Sequence, residues 1–151
     1  MPQAPKRGHL LGFTLIELMI TVVIISILAM VAYPSFMSQI RKGRRSDAVS
    51  ALSAVVQAQE RWRSNNPSYG TDLTSAWPTG LGLSSSSPNQ YYTIALSACS
   101  PAAPATCYVA TATAVAGKSQ ASDTGCTTLT VTFSAGTATY TPNDSNRCWA
   151  K

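Results

Sequence analysis

What the chain lacks narrows its chemistry first. It has one histidine, His9, close to its start, and six acids: Glu17, Asp47, Glu60, Asp72, Asp123 and Asp144. Charged residues are 11% of 151. No Gly-rich phosphate loop is present, and no Cys-x-x-Cys or His-rich spacing accompanies the four cysteines. Metal-assisted, phosphoryl-transfer and Ser-His-Asp or Cys-His chemistry therefore have no constellation to build on. Catalytic residues, cofactor and metal are all expected to be none. Asp123 and Asp144 are too few to make a calcium loop. Turn residues capping their own backbone explain them better. The formal net charge is +5, too mild by itself to indicate a nucleic-acid binder.

What the chain has is a long apolar run. Phe13 to Ala32 is 20 residues with a single charge, Glu17. As a helix that run spans about 30 Å, the hydrocarbon thickness of a bilayer. A secretory signal has a shorter apolar core followed by a small-x-small cleavage site. Here the small residue, Gly12, precedes the run, so cutting there leaves the helix on the mature chain. A carboxylate in such a helix costs about 2.5–3.5 kcal/mol on insertion scales, which makes Glu17 a functional residue by default.

Gly12-Phe13-Thr14-Leu15-Ile16-Glu17-Leu18 resembles the processing motif of type IV pilins and their relatives. The resemblance implies that a prepilin peptidase cuts between Gly12 and Phe13 and N-methylates Phe13. It further implies that Glu17, the fifth residue of the cut chain, pairs with the Phe13 amine of a neighbouring subunit. Two buried opposite charges are tolerable when they meet and costly when they do not. Pro34, just past the run, matches the proline that bends the long pilin helix, while Ser26 stands where many pilins carry a helix-loosening glycine.

Residues 1–12 read as a basic leader held in the cytoplasm by Lys6 and Arg7. Removing it leaves nine basic against six acidic residues, +3. Arg41, Lys42, Arg44 and Arg45 on the other flank would by simple charge count keep the C-terminal part inside. The cysteines and the processing motif override that count, and long domains translocate largely regardless of charge. The cluster itself reads as a solvated or headgroup-level face, with acidic lipid, neighbouring subunits or DNA phosphates as functional partners.

Residues 13–34 form the membrane and filament-core segment. Residues 35–64 continue the helix as an amphipathic half, with Val49, Leu52, Val55, Val56, Gln59 and Trp62 on one stripe. Gly43 weakens it by about 1 kcal/mol relative to Ala and marks a second bend. Asn65-Asn66-Pro67 ends it. Residues 65–90 are a long αβ loop anchored by Tyr69, Leu73, Trp77, Leu81 and Leu83, with Ser84 to Pro88 its most flexible part. Residues 91–151 change to period two. Strands are expected over 91–97, 107–116, 126–133 and 136–141, the last two joined at Ser134-Ala135-Gly136. Short connections predict an antiparallel meander covered by the amphipathic helix half.

Cys99, Cys107, Cys126 and Cys148 lie in the last third, and an even count beyond a membrane anchor reads as two disulfides in an oxidising compartment. Of three connectivities, the sequential one is favoured because it closes two local loops, Cys99–Cys107 and Cys126–Cys148.

Beyond the N-terminus, residues 57–73 (beginning Gln57-Ala58-Gln59-Glu60-Arg61-Trp62), Tyr91-Tyr92-Thr93-Ile94, Asp123-Thr124-Gly125-Cys126 and Cys148-Trp149 look like the PilE-like minor pilins. The implied fold is α+β: a long N-terminal helix, a four-stranded antiparallel sheet and a disulfide-bridged C-terminal region. The implied role is structural and not enzymatic: a minor pilin of a bacterial type IV pilus serving adhesion, twitching motility or DNA uptake. The implied partners are other pilin subunits, the peptidase, an assembly platform with its ATPases, and an outer-membrane secretin. The chain would sit in the inner membrane with a periplasmic domain before assembly, and on the cell surface after it. Two alternatives are a type II secretion pseudopilin and a membrane-anchored receptor, for DNA or a host surface, that never polymerises.

Overall fold

The computed structural model describes residues 12–99, 106–143 and 148–149. The leader residues up to 11, with Lys6, Arg7 and His9, lie outside them, as does Asp144. The chain divides into two units, Met1–Met37 and Ser38–Lys151. One helix, α1 (Leu15–Arg63, 49 residues), contributes to both.

In the first unit, Thr14 caps α1. Its Oγ1 accepts from the Glu17 backbone N–H at 3.2 Å, and its carbonyl accepts from Leu18 N at 3.2 Å. Thr at the cap with Glu three residues on is the capping-box sequence, and a carboxylate in the first turn suits the helix dipole. Thr21 Oγ1 and Ser26 Oγ donate to the carbonyls of Leu18 and Val22, both at 2.8 Å, so neither hydroxyl needs an outside partner. Pro34 lies inside α1. Among the described residues, every one from 12 to 36 is exposed.

The second unit is an α+β body. Its four-stranded sheet has the order β1-β2-β3-β4: β1 (Tyr92–Ala98), β2 (Cys107–Ala114), β3 (Thr128–Ser134) and β4 (Thr137–Thr141), all antiparallel. A 3₁₀ turn, Ser119–Ser122, interrupts the β2–β3 connection. Period two shows in the burial: Tyr92 and Ile94 on β1, Tyr108, Ala110 and Ala112 on β2, and Leu129 and Val131 on β3 are all buried. They form one core cluster with Ala48, Leu52, Val55 and Ala58 of α1. At about 25 cal/mol per Å² of apolar area, that shared burial is the main force holding helix and sheet together.

The β3–β4 hairpin turns through Ala135 and Gly136, both at positive φ (48° and 83°), which is the primed-turn geometry two-residue hairpins use. Helix α1 passes Gly43 unbroken and stops at Arg63. The amides of Asn65 and Asn66 then donate to the orphan carbonyls of Arg61 (3.2 Å) and Trp62 (3.0 Å). Gln59, read as part of an apolar stripe, is fully buried and clamps the loop: its Nε2 donates to the Gly70 carbonyl (2.8 Å) and its Oε1 accepts from Gly70 N (2.9 Å). A long apolar helix, an antiparallel four-stranded sheet and a disulfide-bridged C-terminal region together make the type IV pilin fold.

The stretch expected to be most flexible, Ser84 to Pro88, is fastened at both edges. Ser85 accepts from Ile94 N (2.7 Å), Ser87 N donates to the Tyr92 carbonyl (2.9 Å), and Ser86 bridges to Thr93. The cause is Asp47, which sequence patterning left unassigned. Buried on α1, it accepts from Ser87 Oγ, from Asn89 N (3.0 Å) and from Asn89 Nδ2 (2.9 Å).

Candidate functional site

Two assemblies of residues carry chemistry. The first is the start of α1. Gly12, Phe13 and Thr14 precede the helix without regular structure, and Glu17 sits in its first turn. Sixteen large apolar side chains from Phe13 to Phe36 are each more than half exposed. Phe13 is 85% exposed, and the mean hydropathy of the richest 18-residue window is 2.7. By length and composition the helix can cross a membrane. Among the described residues Glu17 has no ion-pair partner. An apolar cylinder of this kind is stable only inside lipid or against other apolar helices.

The second assembly sits where α1 meets the 3₁₀ turn. Arg45 and Asp123, both buried, form a two-pronged ion pair: Nε to Oδ2 and Nη2 to Oδ1, each 2.8 Å. Both readings of these residues need correction. Arg45 does not belong to a solvated face, and Asp123 does not cap its own turn; each is spent on the other. Arg fits because its planar fork matches a carboxylate with two parallel hydrogen bonds. Gln120, also buried, donates from Nε2 to Tyr92 Oη (2.8 Å) and to the Arg41 carbonyl (3.2 Å). Burial raises the Tyr92 hydroxyl pKa, and the Gln120 hydrogen bond partly offsets this.

Outside that ion pair lies a ring of exposed and half-buried cations. Arg44 sits 4.5 Å from the Tyr91 ring centroid and donates from Nη1 to Ser119 Oγ. Lys118 approaches the same ring at 5.7 Å and donates to the Gln90 carbonyl at 2.6 Å. At the far end of α1, Trp62 packs edge-on to the half-exposed Trp77 (5.4 Å), and Arg63 lies over Tyr69 at 5.7 Å.

The structure joins Cys99 to Cys107 and Cys126 to Cys148. The second of these ties Cys148 and Trp149 to the start of the β3 region, with Trp149 edge-on to Tyr140 at 5.0 Å. No group of three or more His, Cys, Asp or Glu able to hold a metal occurs among the described residues. The residues that patterning missed, Arg45, Asp47, Gln120 and Asp123, are polar and meet across about 28 to 79 positions of sequence. Hydropathy periods are blind to such pairs. The one available signal was scarcity: in a chain with six acids, each acid in the folded part is worth a partner search.

Comparison with known proteins agrees with this architecture. Residues 11–33 match the prokaryotic N-terminal methylation motif. The type IV major pilin PilE of Neisseria gonorrhoeae is 36% identical over 80 residues, 53% of this chain and 46% of that protein. The type IV wide pilus major component PilA4 of Thermus thermophilus is 34% identical over 83 residues, 55% and 62% of the two chains. The type II secretion system core protein G of Escherichia coli is 37% identical over 60 residues, 40% and 41%. The chain thus spans less than two thirds of the length of each of these relatives. No solved structure matches. Residues 34–130, well over half the chain, match the family described as type IV minor pilin ComP, DNA uptake sequence receptor, and the chain belongs to that type IV minor pilin family.

Proposed function

We propose that this chain is a filament subunit of a bacterial type IV pilus and works by assembly. A prepilin peptidase cuts after Gly12 and methylates the new Phe13 amine. The chain waits in the inner membrane with its disulfide-bridged body on the periplasmic side, where cysteines oxidise. Glu17 then pairs with the Phe13 amine of an adjacent subunit, and the apolar helices leave lipid for one another. An assembly platform and a secretin carry the filament to the surface. The observation that carries this reading is the exposed apolar half of α1 with its single carboxylate one turn from Phe13.

The test is the N-terminal residue and intact mass of the protein from a sheared surface fraction. A chain starting at methylated Phe13, four hydrogens light for two disulfides, supports the proposal. A chain starting at Met1 and confined to membranes refutes it.

Among the tasks of such filaments, the family description favours DNA uptake over adhesion or twitching motility. Deleting the chain should then abolish transformation while leaving filaments and motility intact; lost motility with normal transformation would reverse the assignment. The likeness to core protein G favours the pseudopilin reading, which calcium-dependent melting would support. Asp123 is already committed to Arg45, and that weighs against a calcium role for it.

A further inference from the structure

We propose that Arg41, Arg44 and Lys118 form a binding site for the phosphate headgroup of an acidic phospholipid. The site is positive because its acids are used elsewhere. Five cations cluster here, Arg41, Lys42, Arg44, Arg45 and Lys118, against two carboxylates, Asp47 and Asp123. Asp123 is closed by Arg45, and Asp47 is closed by Ser87 and Asn89. Among the described residues, none of Arg41, Arg44 and Lys118 has an ion-pair partner.

The cations are also held in place. Arg41 and Arg44 are three apart on α1 and so share a face. The Tyr91 ring lies against both Arg44 and Lys118, and Ser119 and the Gln90 carbonyl fix their ends. The Arg41 carbonyl is tied by Gln120, yet its buried side-chain Nε has no hydrogen-bond partner. A buried guanidinium N–H without an acceptor is a standing cost that an arriving phosphate oxygen removes.

Position selects lipid over nucleic acid. Arg41 follows Met37, the last residue of the apolar unit, by four positions on the same helix. Tyr33, 65% exposed, is the kind of aromatic that settles at headgroup level. Lys and Arg clustered beside a membrane helix attract anionic lipid by about fivefold per cation. Strand stacking needs open aromatic faces, and Tyr91 is already engaged by two cations. The proposal rests on the membrane reading of α1. Failure of that reading shows as no lipid of any kind on the chain; failure of this one shows as lipid held without preference.

The experiment is native mass spectrometry of the full chain released from detergent micelles doped with equal phosphatidylglycerol and phosphatidylcholine. The wild type should retain phosphatidylglycerol at least about fivefold over phosphatidylcholine. Arg44→Gln with Lys118→Gln should lower the ratio by about fivefold for each cation removed, and Arg44→Lys with Lys118→Arg should keep it. If the neutral pair does not fold, Lys118→Gln alone carries the test, with a fall in the ratio of about fivefold. An unchanged ratio in the neutral variants overturns the proposal. So does duplex DNA that binds the wild type and is lost in them while the lipid ratio stays the same.

Discussion

Glu17 and Asp123 are both carboxylates in apolar surroundings, and the chain treats them in opposite ways. Asp123 is enclosed in the folded body with its counter-charge, Arg45, held at 2.8 Å on two prongs. Glu17 sits on an exposed apolar helix with no ion-pair partner among the described residues. The difference separates the two units by where their interactions are completed. In the body from Ser38 onward, the buried Arg45–Asp123 pair and the apolar faces of helix and sheet find their partners within the unit. The described residues up to Met37 form their hydrogen bonds within the helix and leave their apolar side chains exposed. Removing one carboxylate should therefore damage folding, and removing the other should damage assembly.

The largest effect is expected at the buried pair. Asp123→Ala strands Arg45 without its anion and should lower the stability of the body by about 3–5 kcal/mol in denaturant unfolding. Asp123→Leu combined with Arg45→Met should recover most of that loss, because a buried ion pair and a well-packed apolar pair are close in free energy. Glu17→Ala should leave the same unfolding curve within about 0.5 kcal/mol while removing the chain from sheared filaments. A filament that incorporates Glu17→Ala normally would break the comparison.

Next come the disulfides. The Cys126–Cys148 bridge closes a loop of 23 residues and the Cys99–Cys107 bridge a loop of 9. Chain entropy assigns them about 3.4 and about 2.6 kcal/mol. Replacing each pair by Ser should destabilise the body in that order, and non-reducing peptide mapping should find both linkages. A Cys99–Cys126 peptide would overturn the pairing.

These features were unevenly legible in the sequence. The helix, its end at Asn65-Asn66-Pro67, the meander and the sequential cysteine pairing follow from local pattern: apolar run, turn residues, period two and loop length. Strand ends moved by one or two residues: β2 stops two residues early, at Ala114, and β3 begins two residues late, at Thr128, because Asp123 to Cys126 is held in a turn. The polar scaffold was not legible. Arg45, Asp47 and Gln120 look like surface residues by composition, and only the fold brings their partners to them; Gln59 falls on the core-facing stripe, but its bond to Gly70 is not visible in the pattern. The Arg41–Arg45 run shows the limit most clearly. Five adjacent positions read as one charged patch, yet the helix turn sends Arg45 inward to Asp123 and Arg44 outward to Tyr91 and Ser119.

A smaller effect should appear in alkali. Burial, with Glu60, Tyr69 and Tyr140 nearby, raises the Tyr108 hydroxyl pKa well above 10; burial also raises those of Tyr92 and Tyr69. Above about pH 10 the unfolded chain loses phenolic protons that the folded chain keeps. The folded state then binds more protons, so stability is complete below pH 10 and falls as pH rises past it. Melting temperature should drop from pH 10 to 11.5, and Tyr108→Phe should flatten the drop.

The smallest expected change is a gain. Gly43 lies within α1 with a helical backbone, and an added methyl group would meet nothing within 4 Å. Its cost is the extra freedom that glycine loses on becoming helical, about 0.5–1 kcal/mol relative to Ala. Gly43→Ala should raise the stability of the body by that amount, because the residues after it, Arg44 to Asp47, position the buried pairs with Asp123 and Ser87. Filament yield should stay unchanged if the glycine is merely tolerated. If yield falls while stability rises, the looseness of α1 at Gly43 is itself used in assembly. The line between the internally completed body and the externally completed helix would then lie at Gly43 and not at Met37.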